Sequence, residues 1–207
     1  MSIKSSAEKD LHSIKQIMER STRFISLSGL SGILSGIYAL AGAVITYYLL
    51  YYPNSPFGYR FSYVNEESTV IRLIITAIIV LAASIITGLL LTINKAKKQG
   101  VSYWDRNSKR FLTNTLIPLL AGGAFIFGLI MRGYYGIIAP SCLIFYGLAL
   151  INGSNFTWGE IRYLGLLEIL LGILCLFVPG YGLIFWSIGF GLLHIIYGTL
   201  MYNRYDK

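Results

Sequence analysis

Six long apolar runs, joined by short polar connections, constrain this sequence more than any other feature. A helix needs about 20 mostly apolar residues to cross the hydrocarbon core of a bilayer, which is about 30 Å thick. The runs occupy residues 24–50, 69–93, 111–131, 134–151, 161–178 and 182–201. The sequence therefore predicts an all-α integral membrane protein. We expect six transmembrane helices in three hairpins, forming one domain at residues 24–201, followed by a cytoplasmic tail at 202–207.

The composition excludes several other classes of protein. Charged residues make up 13% of the 207 residues and hydrophobic residues 55%, whereas soluble domains carry about 25% charged residues. A disordered chain, a coiled coil and an ordinary soluble enzyme are therefore ruled out. The net charge of +8 comes from 17 Lys and Arg against 9 Asp and Glu. It does not indicate nucleic-acid binding, because most of these cations flank apolar runs, where they anchor topology and meet anionic headgroups.

The distribution of Lys and Arg predicts which side of the membrane each connection faces. Basic residues are concentrated in the N-terminal segment, the second connection and the C-terminal tail, whereas the opposite side holds only Arg60, Arg72 and Arg132. Both termini are therefore expected in the cytoplasm. The first apolar run is too long for the core of a signal peptide, which has about 7–15 residues. We expect it to be retained as the first span, in the cytoplasmic (inner) membrane of a bacterium.

The polar segments on the cytoplasmic side form a candidate face for a protein partner or for anionic lipid. Residues 1–23 are expected to contain a cytoplasmic amphipathic helix, since Ser5 and Glu8 have capping-box spacing and apolar residues recur at helical intervals. That helix could instead lie on the membrane surface or pack against the transmembrane domain. The candidate face combines it with the basic second connection. Its candidate binding residues are Lys15, Arg20, Arg23, Lys95, Lys97, Lys98, Arg106, Lys109 and Arg110.

Two ionisable residues lie deep within the last two apolar runs. Glu168 follows Ile161 by seven residues and His194 precedes Met201 by seven, which puts each about 11 Å from the cytoplasmic end. A turn near Pro179 would bring them to a similar height. Such a pair can carry a proton, because imidazole titrates near neutral pH and ionisable groups inside a membrane are often functional. The alternative is structural: a neutral Glu168 that donates a hydrogen bond to a carbonyl or a tyrosine and locks the bundle.

Small residues one turn apart on the first helix form two rows that would let another backbone approach closely. One row contains Ser28, Gly32 and Gly36, and the other contains Ser35, Ala39 and Ala43. Intramolecular packing and homodimer formation are both open uses of these rows.

The sequence does not indicate catalysis, a metal or a cofactor. His12 and His194 have no ligand partner at short spacing, Cys142 and Cys175 are isolated, and no glycine-rich phosphate loop follows a strand. We therefore expect a non-enzymatic protein. The first hypothesis is a membrane scaffold, sensor or accessory subunit that engages a partner or anionic lipid through the basic cytoplasmic face. The second hypothesis is a proton-linked transporter or stress-response permease that uses Glu168 and His194.

The last two hairpins repeat a common pattern. Residues 128–136 lead to Tyr146-Gly147 and residues 171–182 lead to Tyr197-Gly198, each through a turn rich in Gly and Tyr. Over residues 111–201 this pattern resembles the hairpin repeat of HdeD-type bacterial membrane proteins, which are six-span proteins associated with acid resistance. The opening run at residues 14–32 also looks like six-span bacterial proteins of unassigned function. The resemblance implies six spans and supplies no catalytic residue, and Glu168 and the long aromatic first loop depart from it.

Overall fold

The computed structural model describes residues 28–52, 67–100 and 102–206, and these ranges contain helices and turns but no strand. The polar segment at residues 1–23, with Lys15, Arg20 and Arg23, lies outside them, so the amphipathic helix expected there stays a prediction. The first five long helices are α1 Gly29–Leu50, α2 Glu67–Lys98, α3 Arg106–Met131, α4 Ile138–Ser154 and α5 Glu160–Phe177. A short 3₁₀ helix at Tyr135–Ile137 leads into α4.

The last helix, α6, covers Gly182–Tyr205 and changes its winding twice. An α-helical start at Gly182–Trp186 passes into a π-helical segment at Ser187–Leu193. An α-helical end follows at His194–Tyr205. Because a π-helix closes its hydrogen bonds over five residues instead of four, this segment is wider and turns its side chains differently from the helix on either side.

Five helices are long and apolar enough to cross a membrane: Gly29–Leu50, Ser68–Lys98, Arg106–Met131, Tyr135–Ser154 and Gly182–Tyr205. For the described residues, the prediction of an all-helical chain with several helices long and apolar enough to span a membrane is confirmed. The remaining predicted span, the fifth along the chain at residues 161–178, corresponds to α5, which has 18 residues and holds the ionisable side chains of Glu160, Arg162 and Glu168.

Two pairs of helices approach closely because glycines face each other. A Cβ atom added to Gly147 in α4 would lie 2.6 Å from the backbone oxygen of Gly165 in α5, and one added to Gly165 would lie 2.7 Å from the oxygen of Gly147. α1 and α6 meet in the same way, since a Cβ at Gly198 would lie 2.5 Å from the backbone nitrogen of Ile33. Close backbone packing of this kind replaces the hydrophobic drive that is absent between helices in lipid.

The small residues of α1 are used inside the molecule. A Cβ at Gly36 would lie 2.7 Å from the backbone oxygen of Gly191 in α6, and one at Gly32 would lie 3.1 Å from Cα of Gly198. On the second row, Ala39 and Ala43 are buried. Both rows that the sequence offered for intramolecular packing or for a homodimer therefore contribute to packing within the bundle.

The end of α6 fastens the start of α1 and the end of α2. The carboxylate of Asp206 accepts hydrogen bonds from the Ser28 hydroxyl at 3.0 Å and from the Gly29 backbone N–H at 2.8 Å. The same carboxylate forms an ion pair with Lys95 of α2. A negative charge at the N-terminus of α1 is also favourable toward the helix dipole. These contacts place the start of α1 beside the ends of α2 and α6, so α1 runs antiparallel to both.

α3 begins with a capping box that the sequence analysis did not single out. The Asp105 carboxylate accepts a hydrogen bond from the Ser108 backbone N–H at 2.7 Å, and the Ser108 hydroxyl accepts one from the Asp105 backbone N–H at 3.4 Å. Burial raises the pKa of the Asp105 carboxyl, but the hydrogen bonds from Ser108 outweigh it and hold that pKa below its usual value. With this cap, α3 starts at Arg106, ahead of the predicted apolar run at 111–131.

Candidate functional site

The site centres on the carboxyl group of Glu168, in the first half of α5. Its side chain is completely buried, with 0% exposure. Neither carboxyl oxygen has a hydrogen-bond partner in the described part of the chain. Buried polar groups are normally hydrogen-bonded, because leaving one unpaired costs free energy. An unpaired carboxyl in the middle of a helical bundle is therefore the most unusual feature of this structure.

His194 of α6 lies against this carboxyl, as the sequence offsets from the turn had indicated. Its Nδ1 atom is 3.5 Å from Oε1 of Glu168 and 2.9 Å from the backbone oxygen of Gly189. On the other side of the ring, Nε2 is 2.7 Å from the hydroxyl of Tyr146 in α4. Since a carbonyl can only accept, Nδ1 carries a proton and donates it to Gly189. In the neutral ring, Nε2 then accepts from Tyr146.

The π-helical segment of α6 makes room for the carboxyl. Gly189 lies in this segment, and a Cβ atom added there would be 2.5 Å from Oε2 of Glu168 and 2.5 Å from Cδ2 of Leu143. Any larger residue would therefore occupy the space of the carboxyl. Short π-helical segments are often found at functional sites, where they re-aim neighbouring side chains. Here the segment ends one residue before His194, whose imidazole bonds back to it.

Aromatic rings stack beside His194 and Tyr146. The ring of Phe190 lies 5.0 Å from that of Tyr146 and 5.9 Å from that of His194, measured between centroids. Trp186 continues this stack, with its ring 5.2 Å from that of Phe190. Charges in such a poorly solvated place interact more strongly than they would in water.

This arrangement can hold and move a proton. With one proton between them, Glu168 and His194 form either a neutral acid beside a neutral imidazole or a carboxylate beside an imidazolium, and both states carry no net charge. Tyr146 can follow either state, because its hydroxyl donates to a neutral Nε2 and accepts from a protonated one. In the described residues, no group of three or more His, Cys, Asp or Glu side chains is placed to hold a metal ion.

The structural alternative considered for Glu168 required a hydrogen bond to a carbonyl or to a tyrosine. The nearest tyrosine in the network, Tyr146, bonds to His194 instead. The sequence analysis did not identify Gly189, which admits the carboxyl. The sequence Gly189-Phe-Gly191 just before an intramembrane histidine was the available signal, because two glycines there allow close approach.

The structure describes part of the basic face that the sequence predicts for the cytoplasmic side, and one of its residues differs from the expectation. Lys97, Lys98, Arg106, Lys109 and Arg110 are exposed near the junction of α2 and α3. The ammonium group of Lys109 also lies 5.7 Å from the ring centroid of Trp104. Lys95, in contrast, is paired with Asp206, and its side chain is only 12% exposed. Its charge therefore stabilises the packing of the helices.

No family model, curated protein or solved structure matches this chain.

Proposed function

We propose that this chain is a proton-linked membrane transporter or permease in which Glu168 and His194 exchange the coupled proton. One observation carries the proposal: a fully buried carboxyl without a hydrogen-bond partner among the described residues lies 3.5 Å from an imidazole nitrogen. A group that only held the bundle together would be expected to have its oxygens satisfied. A group that takes up and releases a proton must tolerate both charge states, which the neighbouring imidazole and tyrosine allow.

The proposed topology has six spans, with α5 as the fifth along the chain, in three hairpins with both termini in the cytoplasm of a bacterium. Two of the charges of α5 lie in its first turn, where Glu160 accepts hydrogen bonds from Arg204 at 2.7 Å and from Tyr205 at 2.8 Å. Only Glu168 then lies within the apolar part of the helix. The resemblance to HdeD-type acid-resistance proteins is in keeping with six spans and with a role under acid stress.

Proton flux in proteoliposomes tests this proposal. The protein is reconstituted with a pH-sensitive dye inside the vesicles, and a potassium diffusion potential drives proton entry. Wild-type protein is expected to acidify the interior, and Glu168→Gln and His194→Gln are each expected to abolish that flux. Glu160→Gln is the matched control, because it removes a carboxylate from the same helix at its exposed end. A wild-type protein without flux, with variants that are merely less stable, would contradict the proposal.

A second candidate function is a non-enzymatic scaffold, sensor or accessory subunit that binds a protein partner or anionic lipid through its basic face. The exposed group Lys97, Lys98, Arg106, Lys109 and Arg110 favours it, since five cations near one membrane surface attract acidic partners. A photo-crosslinking residue at position 97, compared with one at position 134 on the other side, tests it in cells. Specific capture of one protein from position 97 would support a partner, and capture of lipid alone would rule the partner out.

A further inference from the structure

A short sequence pattern recurs on the three even-numbered helices. α2 contains Ile85-Ile-Thr-Gly88, α4 contains Ile144-Phe-Tyr-Gly147, and α6 contains Ile195-Ile-Tyr-Gly198. In each case an isoleucine precedes a glycine by three residues, so both lie on one face of the helix. We call this face the Ile/Gly face.

The Ile/Gly faces of α4 and α6 form equivalent contacts. A Cβ atom at Gly172 of α5 would lie 2.7 Å from Cγ1 of Ile144 in α4. A Cβ atom at Gly36 of α1 would also lie 2.7 Å from Cγ1 of Ile195 in α6. In both contacts the same added Cβ atom also approaches a backbone oxygen of the facing helix. That oxygen belongs to Pro140 in α4 and to Gly191 in α6, each seven residues before the glycine of its Ile/Gly face.

The two opposing helices share a spacing as well. Gly29 and Gly36 of α1 are seven residues apart, as are Gly165 and Gly172 of α5. Gly29 meets the backbone oxygen of Gly198, and Gly165 meets that of Gly147. Both pairs are antiparallel, so α1 with α6 and α5 with α4 are two copies of one interface.

The third Ile/Gly face, on α2, is open. No atom of the described residues lies within 4 Å of a Cβ added to Gly88. On the same face, Leu81 and Ile85 are 60% and 51% exposed. α2 packs on α1 through other residues, including Thr87, whose hydroxyl is 3.3 Å from that of Tyr38.

α3 exposes the small residues that such a face requires. Ala121, Ala124 and Gly128 have the same spacing as Gly29, Gly32 and Gly36, and all three are exposed. A Cβ at Gly128 would also meet no described atom within 4 Å. α3 packs against α4 through Gly122, where a Cβ would be 2.5 Å from Cβ of Phe145. The neighbouring face of α3 therefore has no packing partner in the described part of the chain.

We propose that the Ile/Gly face of α2 packs against the Ala121–Gly128 face of α3 in a second copy of this chain. The reciprocal contact, between α3 of the first copy and α2 of the second, closes a two-fold dimer, which is the commonest symmetric assembly. Neighbouring helices of the bundle are antiparallel, so α2 runs in the opposite direction to α3. A two-fold axis along the membrane normal therefore lets α2 of one copy pack against α3 of the other while both copies keep the same orientation in the membrane. Aligned on the two intramolecular interfaces, Ile85 lies opposite Gly128, as Ile144 lies opposite Gly172 and Ile195 opposite Gly36.

Disulfide crosslinking in native membranes tests this register. Cys142→Ala and Cys175→Ala remove the native thiols, and Ile85→Cys with Gly128→Cys introduces one on each face. Oxidation is expected to give a covalent dimer. Ile79→Cys with Gly128→Cys is the matched control, because residue 79 is 61% exposed but lies on a different face of α2, and it is expected to give little crosslink. A crosslink within one chain, or none, would overturn the proposal.

A second measurement does not depend on the introduced thiols. Gly88→Leu adds bulk to the proposed contact, and Ala82→Leu adds similar bulk to α2 about 120° away. Neither position is packed against the described residues, so both variants are expected to fold as wild type does. Energy transfer between labelled copies in vesicles should show dimerisation weakened about tenfold or more by Gly88→Leu, because blocked backbone packing removes the main attraction between helices in lipid. Equal dimerisation of the two variants, or a wild type that is monomeric throughout, would reject the proposal.

Discussion

A Cβ atom at Gly189 would lie 2.5 Å from Oε2 of Glu168, so the buried carboxyl occupies space that only a glycine at this position leaves. The two residues belong to different helices, α6 and α5, and the contact falls within the π-helical segment of α6. The same segment supplies the carbonyl to which His194 bonds. The widened helix, the glycine and the imidazole therefore act together to accommodate an acid inside the bundle.

Gly189→Ala is expected to destabilise the protein by about 1–3 kcal/mol, the usual cost of overpacking a filled core. The added methyl group meets Glu168 on one side and Leu143 on the other. Thermal unfolding in a mild detergent measures the effect as a lower Tm. Gly136→Ala is the control, since a Cβ there meets no described atom within 4 Å. Equal Tm values for the two variants would contradict the packing described here.

Tyr146→Phe is expected to cost about 1–2 kcal/mol, because it leaves Nε2 of His194 without its partner in a buried place. The ring remains, so the aromatic contact with Phe190 is kept and only the hydroxyl is lost. Thermal unfolding of Tyr146→Phe, His194→Gln and the double variant separates the pair from its surroundings. If the two effects simply add, the hydrogen bond at 2.7 Å is not an energetic link.

Asp206→Ala is expected to lower stability by about 3 kcal/mol, as when one partner of a mostly buried ion pair is removed. The loss would remove the carboxylate that pairs with Lys95 and the acceptor for the Gly29 N–H in the first turn of α1. Arg204→Ala breaks a neighbouring pair with Glu160 whose arginine is 68% exposed, and it should cost less than about 1 kcal/mol. A comparable loss in both variants would show that Asp206 does not join the helix ends.

The cap at Asp105 predicts a dependence on pH at the start of α3. Because hydrogen bonds from Ser108 hold the pKa of this carboxyl below its ordinary value of 3.8 in the folded state, the stabilisation is complete at pH values well above 3.8. It is lost as pH falls through the lowered folded-state pKa. Asp105→Ala should cost about 1 kcal/mol at pH 7. Asp105→Asn should keep most of the cap and show no weakening in acid. Amide exchange at residues 106–109 measures both, and an acid response in Asp105→Asn would exclude the carboxyl as its source.

The sequence was sufficient to predict the helical membrane class and the approach of Glu168 to His194. Both follow from local quantities, namely the length of apolar runs and the number of residues to a turn. The sequence was not sufficient to predict the π-helical segment, because a single widened turn leaves no periodic pattern in so uniformly apolar a stretch. The role of Lys95 was also missed. Its partner Asp206 lies 111 residues away in the chain, and only the packing of α1, α2 and α6 brings the two together.

The three glycines of the Ile/Gly faces provide the last prediction, because equivalent positions in the sequence have unequal surroundings. A Cβ at Gly147 or Gly198 would approach backbone atoms to 2.6 Å or 2.5 Å, whereas one at Gly88 meets no described atom within 4 Å. Alanine at either of the first two should therefore cost about 1–3 kcal/mol through overpacking. In protein diluted with detergent until it is monomeric, Gly88→Ala should instead leave the stability unchanged or raise it by up to about 1 kcal/mol, since alanine is the better helix former. Thermal unfolding of the three variants at matched dilution gives this ranking directly. A loss of stability at Gly88 equal to that at Gly147 would mean that α2 is packed within the chain, and both the open face and the dimer built on it would have to be abandoned.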